Sequence, residues 1–271
     1  YNQFNGNLLV AQNGRILYRN SCGLADPTCK DTLTNESGFQ LASVSKTITA
    51  VGVLLLFEQN YFKLDDPFCK YFPDFPYKNV TIRHLLAHRS GVPNYLHFND
   101  RFYPKNKIYL NNYDIYETLV KYHFPPMMNA GKRFYYNNTN YVLLALLIEK
   151  MSGMSYSNFM QKYIFETVGM YSSSIELPDE FWYRNNKTYG LYANNRKYPV
   201  DKFDGVYGDK GVYSTTLDMY RFDRALYPDV LLKKKTLDEA FKNHVTEAKD
   251  DCTTTAASLY SAIASTNRPT L

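Results

Sequence analysis

The sequence predicts an α+β fold in which a helical region interrupts a sheet. Three stretches carry that expectation. "GNLLVAQNGRILYRNSCG" holds two β-rich runs joined by Asn13-Gly14, the strongest short-range hairpin signal. "FQLASVSKTITAVGVLLLFEQ", residues 39–59, sets a serine before a run that is apolar almost all round, as in a central helix. "GDKGVYSTTLDMYRFDRAL" is a glycine-flanked strand running into a helix.

Between these, the elements follow in order. The opening hairpin, residues 6–24, is expected to pack one face against helices. The apolar helix of residues 43–58 gives way to "LDDPFCKYFPDFPY", whose prolines forbid long regular structure. Thr81 begins "TIRHLLAH", a short helix stopped by "RSGVP". Residues 97–112 read as loop and 113–123 as a helix. "TNYVLLALLIEKMSG" is a helix ended by Gly153, and "SYSNFMQKYIFETVGM" opens another with a serine cap. Residues 175–210 are irregular and aromatic. After about residue 249 the text turns rich in Thr, Ser and Ala and loses periodicity. The expected organisation is a domain over 1–248, with sheet parts near 1–30 and 204–248 and a helical part over 43–200, followed by a divergent tail, 249–271.

Composition excludes several classes. Of 271 residues, 45% are hydrophobic and 21% charged, which are globular values, and no apolar run is long enough to span a membrane. The net charge of +5 is small, and apart from "KKK" at 233–235 the lysines are scattered, so no nucleic-acid stripe forms. The chain begins at Tyr1 with neither a basic nor an apolar leader segment, so an export signal is expected to have been removed or never included. Cys22, Cys29, Cys69 and Cys252 show no CxxC spacing, which argues against zinc; Cys22 and Cys29 either close a short loop or stay free. His84 and His88 are spaced i, i+4 without a third ligand, so no metal and no cofactor are expected. Asn35, Asn79, Asn137 and Asn186 each begin a glycosylation sequon.

Ser43 and Lys46 share one helix face, so the amine can approach the hydroxyl. A lysine in a buried first turn is anomalous. Burial disfavours an ammonium, and the positive end of the helix favours an alkoxide, so Lys46 is expected to act as a neutral base beside a nucleophilic serine. The plainer reading is a capping serine with a snorkelling lysine, and SxxK arises by chance about once in a chain of this composition. No GxSxG, HExxH or phosphate loop occurs, which favours lysine over histidine as the base.

Taken together, residues 4–245 resemble the serine β-lactamase and penicillin-binding-protein superfamily, in its class C-like and esterase branch. "FNGNLLVAQNGRILYRNSCGLAD" resembles the opening strands and "FQLASVSKTITA" the nucleophile helix. "LDDPFCKYFPDFPYKNVTIRHLLAHRSGVPNY" resembles the stretch around the HTSG signature, and "GKRFYYNNTNYVLLALLIEKMSG" the region of the second motif. The resemblance implies an antiparallel sheet flanked by helices, with a helical subdomain. The second motif of this branch is YxN, which occurs eight times here among 26 tyrosines. Only the copies at 135 and 136 precede a strongly apolar helix, and "NNTNY" selects Tyr136 with Asn138; Tyr135 with Asn137 is the second register. A tyrosine merely packed under a loop is the bland alternative.

The implied roles are attack by Ser43 on a carbonyl, proton acceptance by Lys46, proton relay by Tyr136, and orientation of Lys46 and the substrate amide by Asn138. A glycan on Asn137 would block such a site. His88, Ser90 and Gly91 read as a structural turn behind it. The resemblance also implies a periplasmic or extracytoplasmic location and a small-molecule or peptide substrate; among a D-Ala peptide, a β-lactam and an ester, the expectation here is ester or peptide ahead of β-lactam. The loop 97–112 and the stretch 175–198, including Trp182, are expected to wall the cleft.

The family's third motif, a Lys or His followed by Thr or Ser and then Gly, is absent from the chain. That strand ordinarily supplies the second oxyanion-hole amide, whose loss costs roughly 10²–10³ in rate. The sheet is therefore expected to be incomplete and the chain truncated, with an unpaired strand edge, a poorly ordered tail and a tendency to aggregate. Two functions remain open: a working serine hydrolase, or a catalytically impaired remnant that still binds ligand.

Overall fold

Asn13 and Gly14 take positive φ, 51° and 74°. That turn folds Gly6–Gln12 (β1) antiparallel onto Arg15–Cys22 (β2), because a two-residue connection with this twist needs residues that tolerate the left-handed region. The structure, a computed structural model, describes residues 4–28, 30–177, 188–192, 194, 196–227 and 229–242. The tail 249–271, Trp182 and Cys29 lie outside the described residues, and with them the expectations of tail order and of a Cys22–Cys29 bridge. Leu24–Asp26 (β3) pairs with Asp31–Thr32 (β4). A third sheet sets Val212–Ser214 (β7) between Phe39–Gln40 (β5) and Ser174–Ile175 (β6), all antiparallel.

The helical region is built round two nearly all-apolar helices. Ser45–Glu58 (α1) is buried continuously from Ser45 to Leu54. Ile82–Leu86 (α2) is capped by Thr81, whose hydroxyl accepts the His84 N–H while the His84 ring accepts the Thr81 N–H. Asn112–Tyr122 (α3) opens with an Asn111–Asp114 capping box. Asn138–Ser152 (α4) is buried from Thr139 to Ile148 and stops at Gly153, in the left-handed region. Ser155 caps Tyr156–Met160 (α5), which runs through a wide turn at Gln161–Phe165 into Glu166–Val168 (α6). Ile48, Val51, Leu144 and Ile148 belong to the main core where α1 packs on α4.

Two expectations change. The span 204–242 contributes one short strand and two helices, Thr216–Ala225 (α7) and Lys234–Ala240 (α8), rather than a sheet. The hairpin is less covered than expected: Leu8, Val10, Leu17 and Tyr18 are all exposed. Its only close helical neighbour among the described residues is α7, where the Tyr220 hydroxyl donates to Gly14 O at 2.8 Å. Among the described residues β1 pairs with β2 alone.

Candidate active site

Ser43 stands in a single tight turn, Ala42–Val44, that leads into α1 rather than in α1 itself. Ala42 holds φ at +45°, a left-handed conformation that costs a non-glycine residue about 1–2 kcal/mol. The strain is sustained because Leu41 N–H is anchored to Val212 O at 2.8 Å, tying the turn to β7. Ser43 is thereby presented to solvent at the head of a buried helix.

Lys46, 5% exposed, lies one turn further on. Its Nζ donates to Ser43 Oγ at 3.1 Å and to the main-chain carbonyl of Asp209 at 2.8 Å. The rings of Tyr136 and Tyr141 lie 5.0 and 5.9 Å from the same nitrogen. Thr49, a further turn along α1, donates to Gly208 O at 2.7 Å. Gly208 itself has φ +96°, and a Cβ there would sit 2.4 Å from Tyr141 O. Its lack of a side chain lets the 208–209 backbone lie between α1 and α4, where its two carbonyls meet Lys46 and Thr49.

Tyr136 donates its hydroxyl to Ser43 Oγ at 2.8 Å and is 45% exposed. Its ring rests on His88, centroids 4.6 Å apart, and His88 in turn contacts Tyr141 at 5.1 Å. His88 follows α2 in the left-handed region, φ +54°, and its Nδ1 accepts the Asn137 N–H at 3.1 Å. Burial, with the charge of Lys46 adding to it, lowers the His88 pKa to about 3, so the ring is neutral. Ser90 donates to Asn140, whose side chain reaches the same ring nitrogen of His88 at 3.2 Å. Gly91 completes the turn at φ +69°.

Of the residues the sequence singles out, Lys46 and Tyr136 each hydrogen-bond Ser43, and the Lys46 amine lies 5.0 Å from the Tyr136 ring. Asn138 begins α4, half-buried, and among the described residues its side chain makes no hydrogen bond to Lys46, which is held by the Asp209 carbonyl instead. In the other register, Tyr135 spends its N–H on His88 O at 2.8 Å, and Asn137 is the buried N-cap of α4. Sequence reasoning missed Asp209, Thr49 and Tyr95. The only trace of Asp209 was its place in "GDKG", where two glycines mark an unusual backbone. Beside β5, a cleft of about 550 Å³ is lined by Gln40, Leu96, Tyr198, Phe203, Lys210 and Tyr213, among others.

The family model for Beta-lactamase matches residues 4–262. The chain is 38% identical over 254 residues to penicillin-binding protein 4* of Bacillus subtilis (strain 168), a match covering 88% of this chain and 56% of that protein. It is 29% identical over 174 residues to esterase EstB of Burkholderia gladioli, covering 60% and 44% of the two chains. Among solved structures, a penicillin-binding protein from Bacillus halodurans superposes with a TM-score of 0.79 at 26% identity, covering 91% of this chain and 77% of that one. The chain spans about half the length of the curated relatives it matches.

Proposed function

The chain belongs to the Beta-lactamase family, and on that premise we propose that it is a serine hydrolase cleaving an amide or ester through an acyl-enzyme on Ser43. The observation that carries this reading is the meeting of Lys46 Nζ and the Tyr136 hydroxyl on Ser43 Oγ, at 3.1 and 2.8 Å. These distances are those a base and a proton relay need. To act as the base Lys46 must first release its own proton; its hydrogen bond to Ser43 then reverses, Nζ taking the hydroxyl proton as Oγ attacks the carbonyl carbon. Tyr136 passes a proton to the leaving group and, in deacylation, helps to deprotonate the incoming water. Asn138, at the mouth of α4, is assigned to the substrate amide. The domain is taken as residues 1–248, and an extracytoplasmic location follows the same resemblance. No helix among the described residues is long and apolar enough to cross a membrane.

A second reading, a ligand-binding protein impaired in catalysis, is favoured by Asn138, whose side chain makes no hydrogen bond to Lys46 among the described residues. A fluorophosphonate probe separates the two. Covalent label on Ser43, lost in Ser43→Ala, supports the hydrolase; an unlabelled wild type at high probe concentration supports the impaired form. For the hydrolase, rates on a short-chain p-nitrophenyl ester, a D-Ala-D-Ala peptide and nitrocefin rank the substrates. Ester or peptide is expected first, and nitrocefin turnover far above the ester would reverse that order.

A further inference from the structure

Asp209 is 3% exposed, and it meets the site twice. Its main-chain carbonyl accepts Lys46 Nζ at 2.8 Å. Its carboxylate Oδ2 accepts the hydroxyl of Tyr95, itself fully buried, at 2.8 Å. The Lys210 ammonium closes the chain, donating to Tyr95 Oη at 2.8 Å and standing 3.9 Å from Asp209 Oδ2. The second oxygen, Oδ1, is buried and has no hydrogen-bond partner among the described residues. A carboxylate sealed from water with one oxygen unpaired is costly. Packing alone does not explain it, since an asparagine or a leucine would fill the volume at lower cost.

We propose that Asp209 is a positioning residue that sets the charge of Lys46 from behind, its carboxylate balancing the ammonium formed when Ser43 gives up its proton. This rests on Lys46 being the base assigned above. The proton moves from Ser43 Oγ to Lys46 Nζ as the Oγ–carbon bond forms; Asp209 takes no proton and touches no substrate. The groups around Lys46 are Ser43, the Tyr136 and Tyr141 rings, neutral His88 and the main-chain carbonyl of Asp209, and the carboxylate of that residue is the one anionic side chain among these described groups. Those facing Asp209 are Lys46, Lys210 and Tyr95. Burial pushes the Asp209 carboxyl up, and the two lysines and the Tyr95 hydroxyl pull it back. Lys210 lines the cleft beside Gln40 and Tyr213, so the same carboxylate also joins that cleft to the lysine base.

The test is an NMR titration of the Lys46 side chain, labelled at Cε, in wild type, Asp209→Asn and Lys210→Gln. Its readout does not require catalysis, so it stands apart from the probe experiment on Ser43. Removing the anion should lower the Lys46 midpoint by about one unit or more, a tenfold change in neutral amine at a given pH. Removing the Lys210 cation should move it the other way. In the probe reaction, the acid limb of the labelling rate should follow the same two shifts. Asparagine keeps the carbonyl contact and an acceptor for Tyr95, so a merely structural role would change melting temperature and leave the midpoint in place. An unchanged midpoint in folded Asp209→Asn, or shifts of the same sign in both variants, overturns the proposal.

Discussion

The imidazole of His88 lies 4.6 Å from the ring of Tyr136, tilted by 35°, with its Nδ1 turned away to accept the Asn137 N–H. One buried, uncharged ring thus holds both the Tyr136 ring and Asn137, the N-cap of α4.

That arrangement predicts acid sensitivity. Unfolded, His88 takes up a proton below about 6.5; folded, burial delays this to about 3. The unfolded state binds more protons within that window, so stability is present above it and lost as pH falls through it, by about 1.4 kcal/mol per unit. Melting temperature should decline from pH 7 to pH 4 in the wild type. His88→Asn, which tolerates the left-handed backbone, should show a shallower decline; equal slopes would contradict the assignment.

Tyr136→Phe keeps the ring on His88 and near Lys46 while deleting the bond to Ser43. Labelling or turnover should fall about 10²- to 10⁴-fold with little change in melting temperature, since the hydroxyl is at the surface. Tyr135→Phe should be close to silent. The reverse pattern would place the motif in the other register.

Gly208→Ala puts a methyl group 2.4 Å from a backbone oxygen of α4, at a φ of +96°. Neither the 208–209 backbone nor α4 can yield cheaply there. A loss of about 2–4 kcal/mol in urea unfolding is expected, with Ser43 labelling impaired beyond what the unfolded fraction explains, because the Asp209 carbonyl moves off Lys46. Wild-type labelling in a destabilised variant would show that the contact is dispensable.

The Asn137 sequon should stay empty. Its side chain donates to Val92 O and accepts the Thr139 N–H, and the residue is 1% exposed, so neither a transferase nor a glycan has access once the chain is folded. Asn79, on the surface, carries the same signal without that obstacle. Peptide mass mapping after expression in a glycosylating host checks this, and a glycan at Asn137 on soluble, folded protein would refute it.

Local signals in the sequence were enough for the hairpin, where Asn13-Gly14 dictates the turn, and for α1 and α4, whose unbroken apolar runs can only be central. The caps of Thr81 and Ser155 were equally local. Ser43 with Lys46 could be seen because i, i+3 spacing also brings two side chains together where a tight turn runs into a helix. Tyr136 needed its neighbour α4 to be told apart from seven other YxN copies. Asp209 stayed hidden because what binds Lys46 is a main-chain carbonyl, which every residue has. Its proximity arises from a 163-residue separation closed by β7, and periodicity does not see such distances. The sparse covering of the hairpin was hidden for the same reason: alternation shows which side chains share a face, not what lies against that face.

Finally, exposure divides the reacting atoms unevenly. Lys46 is sealed by Tyr136, Tyr141 and the 208–209 backbone, while Ser43 and nearly half of Tyr136 open to solvent. Among the described residues, the Ser43 hydroxyl is therefore the group through which the buried Lys46 amine meets the exposed Tyr136 phenol. If Ser43 carries the acyl group proposed above, a substrate whose leaving group lingers over Tyr136 covers the exposed end of that chain and slows its own hydrolysis.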